Sequence, residues 1–286
     1  MIFARATLIG CGMIGGSLMA ALRRAGAVER VRGYDRRREH ADAAAARGLI
    51  DEAVGDALEA SYGADLIVLA VPVGATADVC SEIAPAAAHA LLVTDVGSTK
   101  LDVVAAAERT LHDASRFCGA HPMAGTERSG PAAADGALFH NRLALLTPTE
   151  RTAPDVVDYC TQLWRAAGAR TLQLTPAHHD RVIAWVSHLP HAAAFALAAA
   201  VGGVADEVAG LSGAGFADTT RIAASDPAMW RDIFVANRAP LLAALDALGD
   251  ELTALRRAID DGDEDAIESI VARARSGRAR VMESRR

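Results

Sequence analysis

The sequence predicts an α/β protein: a doubly wound parallel sheet over residues 1–175, followed by an all-helical region over residues 176–286. Three observations predict it. From Ala6 to about Thr175, short β-branched or leucine-rich runs alternate with alanine-rich stretches, as in a parallel sheet covered on both faces. After Thr175 the strand signals stop, and "PAHHDRVIAWVSHLPHAAAFALAAAV" opens a region of apolar residues at helical spacing that continues to the end. The length, 286 residues, exceeds that of a usual single domain, so two domains are expected.

In order, the strand candidates are "ATLIG", "RVRGYD", "LIVLAVP", "LLVTDVG", "RFCGAHP", "RLALLTP" and "RTLQLT". The boundary falls near residue 175, where Pro176 suits a helix start because the nitrogen there needs no intrahelical partner. Near residue 263, "DDGDEDA" reads as an acidic turn between helices; it lacks the terminal glutamate of a calcium loop, and no metal is expected.

Apolar residues make up 51% of the chain and much of that share is alanine, which favours closely packed helices. The net charge of −7 argues against a nucleic-acid protein, which needs a concentrated basic surface. The C-terminal arginines of "RARSGRARVMESRR" read as a solvated tail. Cys11, Cys80, Cys118 and Cys160 form no CxxC pair, which fits a reducing compartment. A strand begins within a few residues of Met1, leaving no room for a signal peptide. The longest apolar run, Ala192 to Ala205, is too short to span a bilayer, so the cytoplasm is the expected location.

Gly10, Gly12 and Gly15 form GxGxxG directly after the first strand, where Met13 and Ile14 open a helix. The first glycine turns tightly, the second admits a pyrophosphate and the third lets helix and strand pack. Peptide N–H groups at that helix start would face the phosphates. Asp35 ends the second strand twenty residues beyond Gly15, placed to accept the adenosine ribose hydroxyls. The set reads as a Rossmann-type dinucleotide site rather than a turn beside a capping aspartate. Asp35 favours NAD over NADP, while Arg36, Arg37 and Arg38 leave NADP open. Val71 and Pro72, with Val73, end another strand at the carboxyl edge and should border the cofactor.

Three segments carry polar groups where a core would not want them: "DVGSTK" (95–100), "GAHPMAGTERSG" (119–130) and "SHLPH" (187–191). Each also has a plain reading. Ser98 could cap a helix, His121 could be a bonded loop histidine, and Pro190 could merely kink a helix by freeing the carbonyl of Val186.

Together with GxGxxG and "FADTTRIAASDPAMWRDI" (216–233), these segments resemble the prephenate and arogenate dehydrogenase family over nearly the whole chain. The chain looks like the monofunctional type, without a mutase segment or a regulatory domain. The resemblance implies a Rossmann-type domain followed by a helical domain through which two subunits pair as a homodimer. It also implies oxidative decarboxylation of prephenate to 4-hydroxyphenylpyruvate with NAD, on the route to tyrosine.

By the same resemblance, His121 is the base that takes the ring hydroxyl's proton, and Ser98 bonds both that hydroxyl and His121. His191 contacts the pyruvyl side chain as a donor, Arg221 grips a carboxylate, and His188 lies at the cleft wall or cofactor side. Gly213 and Gly215 let backbone approach the ligand, Asp218 and Trp230 border the pocket, and Thr126 neighbours the base. Glu127 and Arg128 read equally as an exposed ion pair. Arogenate remains an alternative substrate, and tyrosine a possible feedback ligand through its likeness to the product. Two rivals are weaker. A non-catalytic NAD-binding regulator would not need Ser98, His121 and Arg221 together, and a β-hydroxy acid dehydrogenase would carry a lysine in the first helix of its second domain, where this chain has none.

Overall fold

The structure, a computed structural model, describes residues 1–125 and 128–283. Its strands are β1 (Phe3–Ile9), β2 (Val28–Tyr34), β3 (Glu52–Ala53), β4 (Leu66–Leu69), β5 (Leu92–Asp95), β6 (Phe117–Pro122), β7 (Leu143–Thr147) and β8 (Arg170–Gln173). They form one sheet in the order β3-β2-β1-β4-β5-β6-β7-β8. The helices are α1 (Met13–Arg24), α2 (Arg38–Ala46), α3 (Ala57–Ser61), α4 (Thr76–Ala87), α5 (Leu101–Thr110), α6 (Pro154–Ala166), α7 (Pro176–Ile183), α8 (Leu189–Gly202), α9 (Ala205–Val208), α10 (Ala214–Thr220), α11 (Pro227–Ala236), α12 (Arg238–Asp260) and α13 (Glu264–Glu283).

The sheet is covered on both faces, and its central strand β4 is apolar and buried at every position. Leu66 and Val68 of β4 pack with α1, α2 and α6 through Leu18, Ala41 and Leu163. Their neighbours Ile67 and Leu69 pack on the other face with α3, α4 and α5 through Ala57, Ile83 and Val104. This alternation in a wholly buried strand is what a doubly wound sheet requires.

Two features differ from the sequence reading. An eighth strand, β3, pairs two residues with β2, and it is too short to leave a periodic signal. The β6–β7 pair is antiparallel, so β7 and β8 run against the other six strands. Between β6 and β7 the described chain holds only a short 3₁₀ turn, Pro131–Ala133, rather than a crossover helix. Without such a helix the chain returns beside β6 in the opposite sense.

Thr175 caps α7, its hydroxyl accepting the His178 N–H at 3.2 Å, and Pro176 follows at the first helical position. Ahead of Pro190, which has no N–H to give Val186, the chain widens into a π-helical turn, Ala184–His188. The bend expected at "SHLPH" is therefore a local widening, with α8 continuing from Leu189. Counted together, Pro176–Gly202 is the one helical run among the described residues long and apolar enough to cross a membrane, with a mean hydropathy of 1.5. That run is longer than the alanine stretch considered from the sequence.

Compact units divide the chain at Met1–Arg238 and Ala239–Arg286. The first includes α7 to α11, since α7 packs on α5 and β7, and α11 on the 3₁₀ turn Val73–Ala75. The second is a helical hairpin, in which Gly262 turns at φ +64° and Asp263 caps α13 by accepting the Ala266 N–H at 2.9 Å. Its helices are tied by an Arg273–Glu251 ion pair at 2.5 Å.

Candidate active site

The sheet order reverses direction between β1 and β4, the switch point where open α/β sheets bind ligands. Gly10 turns there at φ +95°, and a Cβ on it would lie 2.2 Å from the Ala70 carbonyl oxygen and 3.2 Å from the Val71 nitrogen. Gly15 packs as tightly, its Cβ position 2.6 Å from the Gly10 oxygen. Gly12, by contrast, faces open space. The α1 start has no side-chain cap and no acidic residue in its first turn, so its N–H groups suit an anion. Asp35 accepts the Cys11 N–H and the Arg37 N–H, both at 2.9 Å, and a carboxylate so held keeps lone pairs for a diol. Arg38 is paired with Asp42 at 2.8 Å and Arg37 with His40 at 3.2 Å, while Arg36 is exposed. These residues fit a dinucleotide without a 2′-phosphate. Gly10→Ala is expected to abolish dinucleotide binding measured by calorimetry, because both the φ and the contact with Ala70 exclude a methyl group.

A cavity of about 340 Å³ opens beside the α1 start. Met13, Ile14, Ser98, His121, His191, Arg221 and Trp230 all line it, bringing together residues that span more than two hundred positions of sequence.

His121 is placed by buried polar bonds. The completely buried Lys100 ammonium pairs with Asp95 and donates to the Ala120 carbonyl at 3.0 Å. Asp95 also accepts the Ala120 N–H at 3.0 Å and the Gly97 N–H at 2.8 Å. Both peptide groups of the residue before His121 are thus fixed, and so is the loop carrying Ser98. The α5 start is capped by a distant side chain: Asp180 accepts the Lys100 N–H at 2.7 Å and the Leu101 N–H at 2.9 Å. Ser98 is accordingly not a helix cap; it faces the cavity, and it makes no hydrogen bond to His121.

The ring partner of His121 is instead His179, with Nδ1 and Nε2 2.9 Å apart, and His179 Nδ1 lies 2.7 Å from Asp180 Oδ1. His188, expected at the substrate site, does not line the cavity. It is completely buried, and its Nδ1 accepts from Asn237 Nδ2 at 2.9 Å. Asn237 donates also to the Asp180 carbonyl at 2.9 Å. His191 does reach the cavity, its ring stacked on Trp230 at 3.8 Å and its Nδ1 2.9 Å from the Ser187 carbonyl. Since a carbonyl only accepts, Nδ1 carries the proton, and a neutral His191 offers a lone pair rather than the donor expected. Gly213, Gly215 and Asp218 are exposed and stand apart from this cavity. Thr126 and Glu127 lie outside the described residues.

Burial holds His121 well below the ordinary imidazole range, helped by the charges of His179, Lys100 and His188. Burial likewise lowers His179 against the opposing pull of Asp180, lowers His191, and takes His188 down to about 4. The unfolded chain therefore binds more protons below pH ~6.5 than the folded one, so stability is full above that pH and is lost as pH falls toward 4. The urea midpoint is expected to drop between about pH 7.5 and about pH 5.5; an unchanged midpoint would contradict these assignments.

All four cysteines are buried thiols, and burial pushes Cys11 and Cys80 up to about 12, which makes them inert structural groups.

The glycine turn at a switch point, joined to a cavity holding a neutral imidazole, a hydroxyl and a guanidinium, fits a nucleotide-dependent oxidoreductase. Residues 18–173 match the family description "Prephenate dehydrogenase, nucleotide-binding domain", and residues 175–273 match "Prephenate dehydrogenase, dimerization domain". The chain is 36% identical to a prephenate dehydrogenase of Bacillus subtilis, over 90% of this chain and 70% of that one. It is 35% identical to a cyclohexadienyl dehydrogenase of Zymomonas mobilis, over 92% and 91%. A prephenate dehydrogenase from A. aeolicus, solved in complex with hydroxyphenyl propionate and NAD+, superposes with a TM-score of 0.86 at 32% identity, covering 97% of this chain and 98% of that one. The chain belongs to the prephenate dehydrogenase family, and with it to the NAD-dependent oxidoreductases.

Sequence reasoning missed Asp95, Lys100, His179, Asp180 and Asn237. Lys100 and Asp95 lie in "DVGSTK", and a buried cation beside a strand-end acid was the available signal. "HHD" at a helix start reads as ordinary first-turn polarity.

Proposed function

We propose that the chain converts prephenate to 4-hydroxyphenylpyruvate and CO₂ with NAD, on the route to tyrosine. The observation that carries this is the single cavity in which His121 and Ser98 meet Arg221, His191 and the α1 start. When bound at the glycine turn, NAD supplies the hydride acceptor. His121, kept neutral by burial, accepts the ring hydroxyl's proton, and Ser98 orients that hydroxyl. Arg221 holds a substrate carboxylate, and its guanidinium is suited to a two-bond grip. Trp230 fixes the His191 ring by stacking. His188 and Asn237 support that wall from behind. The test is turnover of the purified chain on prephenate and arogenate with NAD and with NADP, read by nicotinamide reduction. No reduction on either substrate would remove the proposal.

A second reading, use of both prephenate and arogenate, is favoured by the Ser187 bond of His191. The lone pair left at Nε2 suits the ammonium of arogenate, whereas a keto oxygen needs the protonated ring. As pH rises from about 5 to about 7, through the lowered His191, the KM for prephenate is then expected to rise and that for arogenate to fall. Equal responses would remove the dual reading.

We place the functional boundary at Thr175, with residues 1–175 binding the dinucleotide and 176–286 forming the substrate and dimerisation half. On α8 only Ala194 is buried; Leu197 there, and Val204 and Leu211 beyond it, are exposed, and a second copy of the chain would cover them. Gly215, on the exposed α10, would then serve the partner's site. We read Pro176–Gly202 as an interface helix in a cytoplasmic protein, since it carries the buried His179, Asp180 and His188. Tyrosine, through its likeness to the product, would compete for the same cavity and raise the KM without changing saturated turnover.

A further inference from the structure

The geometry points to His179 and Asp180 as positioning residues that dictate which nitrogen of His121 carries its proton, leaving the Nε2 lone pair of His121 as the base. This rests on the proposed function for its catalytic meaning, but the proton assignment follows from the bonds and the burial of the two rings.

Asp180 already accepts the Lys100 N–H and the Leu101 N–H at the α5 start, where the helix dipole favours its negative charge. A carboxylate in that state can only accept, so His179 Nδ1, 2.7 Å from Oδ1, must carry a proton. His179 is completely buried, and burial together with the Lys100 charge keeps it neutral. A neutral imidazole protonated at Nδ1 presents a lone pair at Nε2. His121 Nδ1, 2.9 Å away, must therefore be the donor. His121 is itself neutral, so its second nitrogen, Nε2, is bare and is the one left for the cavity.

When the substrate hydroxyl gives its proton to His121 Nε2, the new imidazolium charge lies one ring away from the Asp180 carboxylate. The pair thus stabilises the protonated base as well as selecting the tautomer. Ser98 does neither, since it makes no bond to the ring.

The test has two arms. Nitrogen-15 NMR of histidine-labelled protein, with the His121 signals identified by their loss in His121→Asn, reads the tautomer without substrate. The proposal expects a protonated Nδ1 and a bare Nε2, and a protonated Nε2 would overturn it even if turnover on prephenate is confirmed. In kinetics, His179→Ala is expected to lower kcat about ten- to a hundredfold, a part of what a general base supplies, with KM little changed. His179→Gln should restore most of that loss, because an amide can accept from His121 and donate to Asp180. In a His121→Asn background, His179→Ala should cost almost nothing further. Equal losses for Ala and Gln, or additive losses in the double variant, would show that His179 is structural support only and would overturn the proposal.

Discussion

His121→Asn is expected to lower saturated turnover on prephenate about a hundred- to ten-thousand-fold, the usual worth of one well-placed proton acceptor. KM should change little, because the substrate grip proposed for Arg221 and His191, which line the same cavity, is left intact. The asymmetry follows from timing: a base acts on the developing transition state, whereas a carboxylate grip acts on bound substrate and transition state alike. Asn is the informative replacement because its amide can still donate to His179 and so keep the ring's place without its basicity. A variant with kcat intact, or with the whole loss in KM, would remove His121 from the chemistry.

The second large effect concerns a residue that touches no ligand. Lys100→Met is expected to destabilise the chain by about 3–5 kcal/mol, because it leaves Asp95 buried without its cation. Urea unfolding should show a lower midpoint with an unchanged slope. Adding Asp95→Asn should recover part of the loss, since the uncompensated charge is then gone while a carbonyl remains for the Ala120 N–H. Turnover in Lys100→Met should also fall, because both bonds that fix Ala120, the residue before His121, depend on this pair. Wild-type stability in the single variant would contradict the account of how the base is held.

The nucleotide half was legible because its signals are local. A glycine triplet after a strand and an acid at the end of the next strand each read from a few residues, and Gly10 at φ +95° against Ala70 shows why a glycine is needed there. The reversal of β7 and β8 was not legible. A strand's own apolar pattern does not record the direction of its partner, and the deciding feature was the lack, among the described residues, of a crossover helix after Pro122. Of the residues the motifs named, His121, Ser98, His191 and Arg221 line one cavity. The depth of His188 was invisible, because a three-residue spacing puts it on the same side as His191 without saying that Asn237 and Trp230 close over it. The His179–Asp180 pair was invisible for a related reason. Its meaning comes from the α5 start, some eighty positions away in sequence.

The most direct test is a crystal structure of the protein with NAD and hydroxyphenyl propionate. The phenol oxygen is expected within about 2.6–3.2 Å of His121 Nε2, the nicotinamide ring on the other side of the aromatic ring, and the propionate near His191 or Arg221. A phenol oxygen held elsewhere, with His121 out of reach of it, would contradict the account.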